Sequence, residues 1–257
     1  MTVAAVDRTA LETKVKEMYR QVAEDPRGDF HFEMGRVMAE RLGYAPDDLD
    51  RVPMEAVESF AGVGFFFHLA GLAPGEHVLD LGSGSGMDTF VAALRVGATG
   101  RVAGVDMTDA QLQKARRLAQ AGSFTMIDYR KGYIEDTGLE SGTFDCIISN
   151  GVINLAPDKP RVFAEAARLL KPGGRLAIAD IVSGVPLPEK VVCNPDLWAA
   201  CIGGAAQRDE YRALIEAAGL AVSRIEENTG YRFLSDRARR ATETFAVSSV
   251  SILARKI

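Results

Sequence analysis

The sequence is poor in the residues that announce several common kinds of chemistry. Its 257 residues include three cysteines, three histidines and one tryptophan. Three thiols, at Cys146, Cys193 and Cys201, cannot build a disulfide framework, and so few fit a reducing, cytoplasmic setting. The His, Cys, Asp and Glu residues show no metal-ligand spacing, so no metal site is expected. No apolar run reaches the roughly 18 residues that a membrane-spanning helix needs. The start, Met1 to Asp7, lacks a basic stretch followed by an apolar core, so no secretory signal is expected. Positive charge is not in excess. Thirty Lys and Arg against 35 Asp and Glu leave a net charge of −5, which offers no footprint for nucleic acid. There is no internal repeat and no low-complexity tract. What is present is ordinary globular material, 47% hydrophobic and 25% charged. That suffices for one large domain, or one domain with a small appendage.

Two textures divide the chain. Residues 1–70 read as a helical cap. Leu11, Val15, Met18, Tyr19 and Val22 recur at spacings of three and four, and a second helix is expected over Phe32 to Leu42, ending before Gly43. An aromatic run, Phe60 to His68, follows. From about residue 71 short apolar strands at Val78-Leu79, Val102–Val105, Phe144–Ile148 and Leu176–Ile178 alternate with helical patterns near 87–96, 108–121 and 158–170. That alternation predicts βαβ units and an α/β, doubly wound parallel sheet. Lys171-Pro172-Gly173-Gly174 is expected to stop the third helix and turn into the next strand. A proline- and glycine-bearing insertion at 183–206 falls at a strand's carboxyl end, where substrate-binding elements sit. A helix near 207–218 and strands near 220–227 and 246–255 complete the sheet.

The sharpest chemical signal is the segment from His77 to Asp88, a strand, a glycine loop and a helix start. Gly82, Gly84 and Gly86 let backbone approach a ligand closely, and the helix N-terminus offers free N–H groups. The spacing is G-x-G-x-G rather than the dinucleotide G-x-G-x-x-G. Asp80, two positions before the first glycine, would repel a pyrophosphate but suits a ligand carrying an ammonium group. S-adenosylmethionine is such a ligand. Asp106 ends the next strand, at roughly the spacing expected of a ribose-hydroxyl acceptor. Gly132-Tyr133-Ile134-Glu135 follows the third strand with one apolar and one polar element for an adenine, and Asn150 ends the fourth strand beside the same crevice.

Asp80-Leu-Gly-Ser-Gly-Ser-Gly86 resembles the first motif of class I S-adenosylmethionine-dependent methyltransferases, and Asp106, Ile134-Glu135 and Asn150 resemble the later ones. The resemblance implies a Rossmann-like, seven-stranded, mostly parallel sheet with an antiparallel last strand, in residues 71–257. It implies that Asp80, Gly82, Ser83, Gly84 and Gly86 hold the methionine moiety and Asp106 the ribose, while Met107, Ile134 and Glu135 frame the adenine. Gly151-Val152 lacks the proline pair and aromatic of enzymes that methylate nucleobase or amide nitrogens.

Longer strings, Gly104–Leu112, Ser149–Lys159 and Cys201-Ile-Gly-Gly-Ala205, are similar to arsenite methyltransferases. That family binds trivalent arsenic through cysteine thiolates, soft ligands for a soft metalloid. Cys201 matches one of its cysteines, and the resemblance makes it the candidate catalytic residue. Gly151 and Val63 stand where the family has the other two. The expected partner is therefore a small-molecule methyl acceptor, a metalloid or an apolar metabolite. The alternatives are a C- or O-methyltransferase of a quinone or similar compound, and a non-catalytic cofactor-binding module. Cys146 reads as a small core residue. Phe60 and Phe65–Phe67 read as core more readily than as pocket, His31 and His68 as packed rather than as general bases, and Arg237, Arg239 and Arg240 as a solvated helix face.

Overall fold

The computed structural model describes residues 6–194, 198, 202–234 and 236–257. Cys201 lies outside them. Seven strands form one sheet in the order β3-β2-β1-β4-β5-β7-β6. They are β1 (His77–Leu81), β2 (Arg101–Asp106), β3 (Ile127–Lys131), β4 (Phe144–Asn150), β5 (Leu170–Val182), β6 (Leu220–Glu227) and β7 (Ser248–Lys256). The first five run parallel, and β7 lies antiparallel between β5 and β6. The expected seven-stranded sheet and antiparallel last strand are thus observed. The order reverses between β1 and β4, which opens a crevice at their carboxyl ends.

A parallel sheet with helices on both faces must bury alternate residues of each strand in opposite cores. In β1, Val78 joins a core with Phe90 and Leu112, whereas Leu79 and Leu81 join a second one with Phe163 and Tyr211. Helices α6 (Met87–Val96) and α7 (Asp109–Ala121) bound the first core, and α8 (Lys159–Leu169) and α10 (Arg208–Ala217) the second. Cys146 of β4 is fully buried, and burial pushes its thiol up to about 12. It is a core residue.

The N-terminal segment holds α1 (Arg8–Glu24), α2 (Arg36–Leu42), α3 (Pro46–Leu49), α4 (Met54–Glu58) and α5 (Phe67–Ala70). Asp7 caps α1 by accepting from the Ala10 N–H at 3.0 Å. α1 docks on α7 through polar bonds. Gln111 Nε2 donates to the Tyr19 carbonyl (2.8 Å) and Lys114 Nζ to the Ala23 carbonyl (2.9 Å). Leu11, Val15, Met38 and Tyr44 share one core with Val78 and Phe90.

Three boundaries differ from expectation. The second helix begins at Arg36, not Phe32, because Gly35 takes a positive φ of 84° and Phe32 is stacked on Phe30 and Tyr19. Lys171–Gly174 is not a separate turn. α8 ends at Leu169 and the four residues bulge within β5, where the register steps from Phe144↔Leu170 to Cys146↔Arg175. The last strand starts at Ser248, since α11 (Asp236–Phe245) and a positive-φ Ala246 precede it. Exposed Arg239 and Arg240 lie on that helix. The ends of the 183–206 insertion are tied together by the Ser183 N–H, which donates to the Ala206 carbonyl at 3.0 Å. A short helix, α9 (Glu189–Val192), stands at its start.

Candidate active site

A cavity of about 260 Å³ opens at the carboxyl ends of β1, β2 and β4, bordered by the glycine loop below and α1 above. The loop takes its shape from β2. The N–H groups of Gly82 and Ser83 both donate to the Val105 carbonyl, at 2.8 and 3.0 Å. Asp106, at the tip of β2, accepts from the Gly84 N–H (2.9 Å) and the Thr108 N–H (2.8 Å). At Gly86 φ is +96°, and a Cβ would stand 2.2 Å from the Tyr129 hydroxyl, so only glycine fits.

Asp80, Gly82, Ser83, Gly84, Gly86, Asp106, Met107, Ile134, Glu135 and Asn150 all border this one cavity. The strand ends that the sequence scatters over seventy positions therefore converge. Burial is the first cause that raises Asp80, Asp106 and Glu135 above the ordinary carboxylate range, and for Asp80 the charges of Asp88 and Asp106 add to it. The Ser83 hydroxyl is buried in the same wall and has no hydrogen-bond partner among the described residues. A carboxylate-rich floor, an unspent hydroxyl and a close-set backbone suit a ligand with a cationic amino-acid tail and hydroxyl groups. Leu11 and Val15 of α1, Phe60, Ile134 and Leu155 supply an apolar wall for a flat base or an apolar acceptor. The fit to S-adenosylmethionine is good on both counts.

Asn150 does more than border the cavity. Its Oδ1 accepts from the N–H groups of Val63 (2.7 Å) and Gly64 (3.3 Å). Its Nδ2 donates to Asp88 Oδ2 at 2.9 Å and to the Gly64 carbonyl at 3.1 Å. Its amide thus ties the 62–64 segment to the glycine-loop helix. Val63 and Gly151 meet beside it, where a Cβ built on Gly151 would lie 3.1 Å from Val63 Cγ1. Gly151 adopts φ +73°.

Sequence reasoning missed Asp88 and Tyr44. Asp88 closes the glycine motif and is nine-tenths buried in the cavity wall. Its place in the first turn of α6 was a readable signal. Tyr44 lies in the loop between α2 and α3, where no local pattern marks it, and its hydroxyl reaches Asp88 only through tertiary packing. The histidines stand elsewhere. His68 is held by Glu226 at 2.8 Å and stacks on Phe65, and His31 meets the edge of Phe32; neither borders the cavity. Phe66 and Phe67 are core, and Phe60 is the member of the aromatic run that reaches the cavity. Among the described residues no cluster of His, Cys, Asp and Glu is arranged to hold a metal, and no helix is long and apolar enough to cross a membrane.

Comparison with known proteins agrees with this geometry. Residues 72–219 match a methyltransferase domain family. The arsenite methyltransferase of Halobacterium salinarum is 41% identical over 199 residues, 77% of this chain and 51% of that protein. The chain spans about half the length of the curated relatives it matches. The crystal structure of an arsenic(III) S-adenosylmethionine methyltransferase from Chlamydomonas reinhardtii is 32% identical, with a TM-score of 0.63, covering 87% of this chain and 74% of the other. A geranyl diphosphate C-methyltransferase from Streptomyces coelicolor A3(2) is 20% identical with a TM-score of 0.71 over 98% of this chain and 100% of its own, a likeness of fold. A methyltransferase-domain match over more than half the chain, on a seven-stranded sheet of the same class, places this protein in the family of S-adenosylmethionine-dependent methyltransferases.

Proposed function

We propose that the protein transfers a methyl group from S-adenosylmethionine to a small acceptor of the arsenite-methyltransferase kind, one that brings its own organic or thiol substituents. The observation that carries this reading is the single cavity joining Asp80, the glycine loop and Asp106 to the apolar wall of Leu11, Val15 and Phe60. In it Asp80 and the Gly82–Gly86 backbone receive the methionine end, Asp106 the ribose hydroxyls, and Met107, Ile134 and Glu135 the adenine. The cofactor supplies an electrophilic methyl on a sulfonium. The chain's own part is to orient the acceptor's lone pair in line, about 3 Å from that methyl, and to exclude water. Helix α1 is the lid of that arrangement, and Cys201, outside the described residues, is the candidate ligand for the acceptor.

The pairing of Val63 with Gly151 narrows the acceptor. Both positions where the similar family carries thiols are apolar here, and Cys201 alone cannot complete the three sulfur ligands that trivalent arsenic takes. Cys193, a bound small thiol or an acceptor already bearing organic groups meets that shortfall, and a soft lone pair needs no general base. The apolar wall favours a second reading, methylation of a quinol or other apolar metabolite, which does need a base. We place either reaction in the reducing, cytoplasmic setting that the few thiols suggest.

A turnover screen with S-adenosylmethionine against arsenite, methylarsonous acid, thiols and phenols, detecting S-adenosylhomocysteine, tests this. Turnover of methylarsonous acid, or of arsenite with added thiol, is the expected result. Turnover of phenols alone selects the second reading. Cofactor binding with no turnover on any acceptor overturns both and returns a binding-only role.

A further inference from the structure

Two buried carboxylates border the cavity, and among the described residues no lysine or arginine bonds to either. Asp80, from the end of β1, and Asp88, from the first turn of α6, are 2% and 6% exposed and both border the cavity. Their hydrogen bonds are unequal. Asp88 has a donor on each oxygen, the Tyr44 hydroxyl on Oδ1 (2.5 Å) and Asn150 Nδ2 on Oδ2 (2.9 Å). Asp80 receives the Thr89 hydroxyl on Oδ2 at 2.6 Å, while its Oδ1 has no donor among the described residues. The other groups facing the pair are Asp106 of β2, whose charge opposes ionisation of Asp80, and the neutral Tyr129 of β3. Arg8 of α1 borders the same cavity and pairs with Asp158 at 3.7 Å.

Two like charges this deep cannot both persist without a counter-ion. Asp88 has a donor on both oxygens and Asp80 on only one, so the anion is Asp88 and the neutral acid is Asp80. We propose that without cofactor Asp80 and Asp88 share a single proton, carried by Asp80, and that the ammonium group of the cofactor's amino-acid tail takes its place. On binding, the Asp80 O–H bond breaks, the proton leaves to solvent, and the carboxylate accepts an N–H from the ammonium. The ammonium keeps its own charge, so the pair with the ammonium carries one negative charge, as the singly protonated pair did before. Burial acts in the same direction, raising both carboxylates, and Asp88 then raises Asp80 further. Asp88 is on this account a positioning residue. It acts on the ligand through Asp80, and Tyr44 and Asn150 hold it in its charged form. The inference rests on S-adenosylmethionine occupying this cavity, and it extends that assignment to the proton that its capture expels.

The consequence is measurable in the full-length protein. One proton released makes affinity rise about tenfold per pH unit below the titration of the pair. Titration calorimetry with S-adenosylhomocysteine, in buffers of different ionisation enthalpy between about pH 6 and about pH 8, reads the proton count directly. About one proton released per ligand is expected. 5′-Methylthioadenosine keeps the adenosine but lacks the ammonium, and at saturating concentration it should release none. In Asp88→Asn one charge that opposes ionisation of Asp80 is gone while burial and Asp106 remain, so the proton released by S-adenosylhomocysteine at neutral pH should fall below the wild-type count. Binding of S-adenosylhomocysteine with no proton released, or with equal release by 5′-methylthioadenosine, overturns the inference and leaves the cofactor assignment standing. No binding of S-adenosylhomocysteine overturns the assignment itself.

Discussion

The Tyr44 hydroxyl donates to Asp88 Oδ1 at 2.5 Å, and this bond joins the N-terminal segment to the first turn of the glycine-loop helix. Both side chains are buried, so neither water nor another donor replaces the bond when it is removed. Tyr44→Phe keeps the ring in its aromatic nest against Phe60 and Phe65 but deletes the donor. A bond from a hydroxyl to a buried carboxylate contributes about 1.5–3 kcal/mol. Denaturant unfolding of Tyr44→Phe should show a loss of that order, and an unchanged midpoint would mean that the bond does not contribute.

Gly84 tests the cofactor cradle. On the protein side a Cβ there meets only Gln111 Oε1, at 3.7 Å, so the side chain of Gly84→Val has room within the fold. Its φ of +53° makes a β-branched residue costly by about 1–2 kcal/mol. Calorimetry should show a folded variant that no longer binds S-adenosylhomocysteine. Wild-type affinity would move the cofactor away from this loop.

Helix α1 carries the third prediction. Removing residues 1–58 entirely would also strip Met38, Tyr44, Leu49 and Val52 from the shared core, and such a chain is expected to unfold. A narrower change isolates the lid. Leu11 is 2% exposed and borders the cavity, so Leu11→Ala should cost about 2 kcal/mol or more in stability. Turnover should fall more than cofactor affinity does. Full turnover in a stable Leu11→Ala protein would leave α1 a purely structural helix.

Glu165 gives a pH signature away from the site. Burial alone would raise it, but Arg168 Nε at 2.7 Å and the Thr137 hydroxyl and N–H at 2.7 and 2.9 Å draw it down to about 2. A carboxylate lowered on folding stabilises above its unfolded pKa and loses that contribution as pH falls through the folded one. Glu165→Gln should therefore cost about 2–3 kcal/mol at neutral pH, with the gap closing from about pH 4.5 to about pH 2. A gap that does not change with pH would assign the loss to packing.

Cys201 tests the acceptor. If a metalloid is methylated, Cys201→Ser should abolish that turnover while leaving cofactor affinity almost unchanged, since a hydroxyl is a harder and far less acidic ligand. A mild change would favour the apolar organic acceptor.

The sheet and its cofactor crevice were legible in the sequence because both follow from local rules. Apolar runs separated by helical spacings specify βαβ units, and strands buried on both faces must come in that form. α6 runs over Met87–Val96, as its pattern predicts, and the polar residues that end β1, β2 and β4 reach one crevice because parallel strands share a direction. Other features depended on contacts that no local pattern encodes. Nothing near Tyr44 in the chain marks it as a partner of Asp88, and nothing near Val63 shows that it faces Gly151. The Phe32–Leu42 helix starts late because the aromatic side chains before Arg36 gain more from stacking than from continuing the helix. Spacing along the chain determines which elements form and which of their ends carry ligand-binding groups. Which buried side chains meet, and hence which carboxylate keeps a proton, is decided by packing between elements, because desolvation and hydrogen bonding depend on neighbours in space.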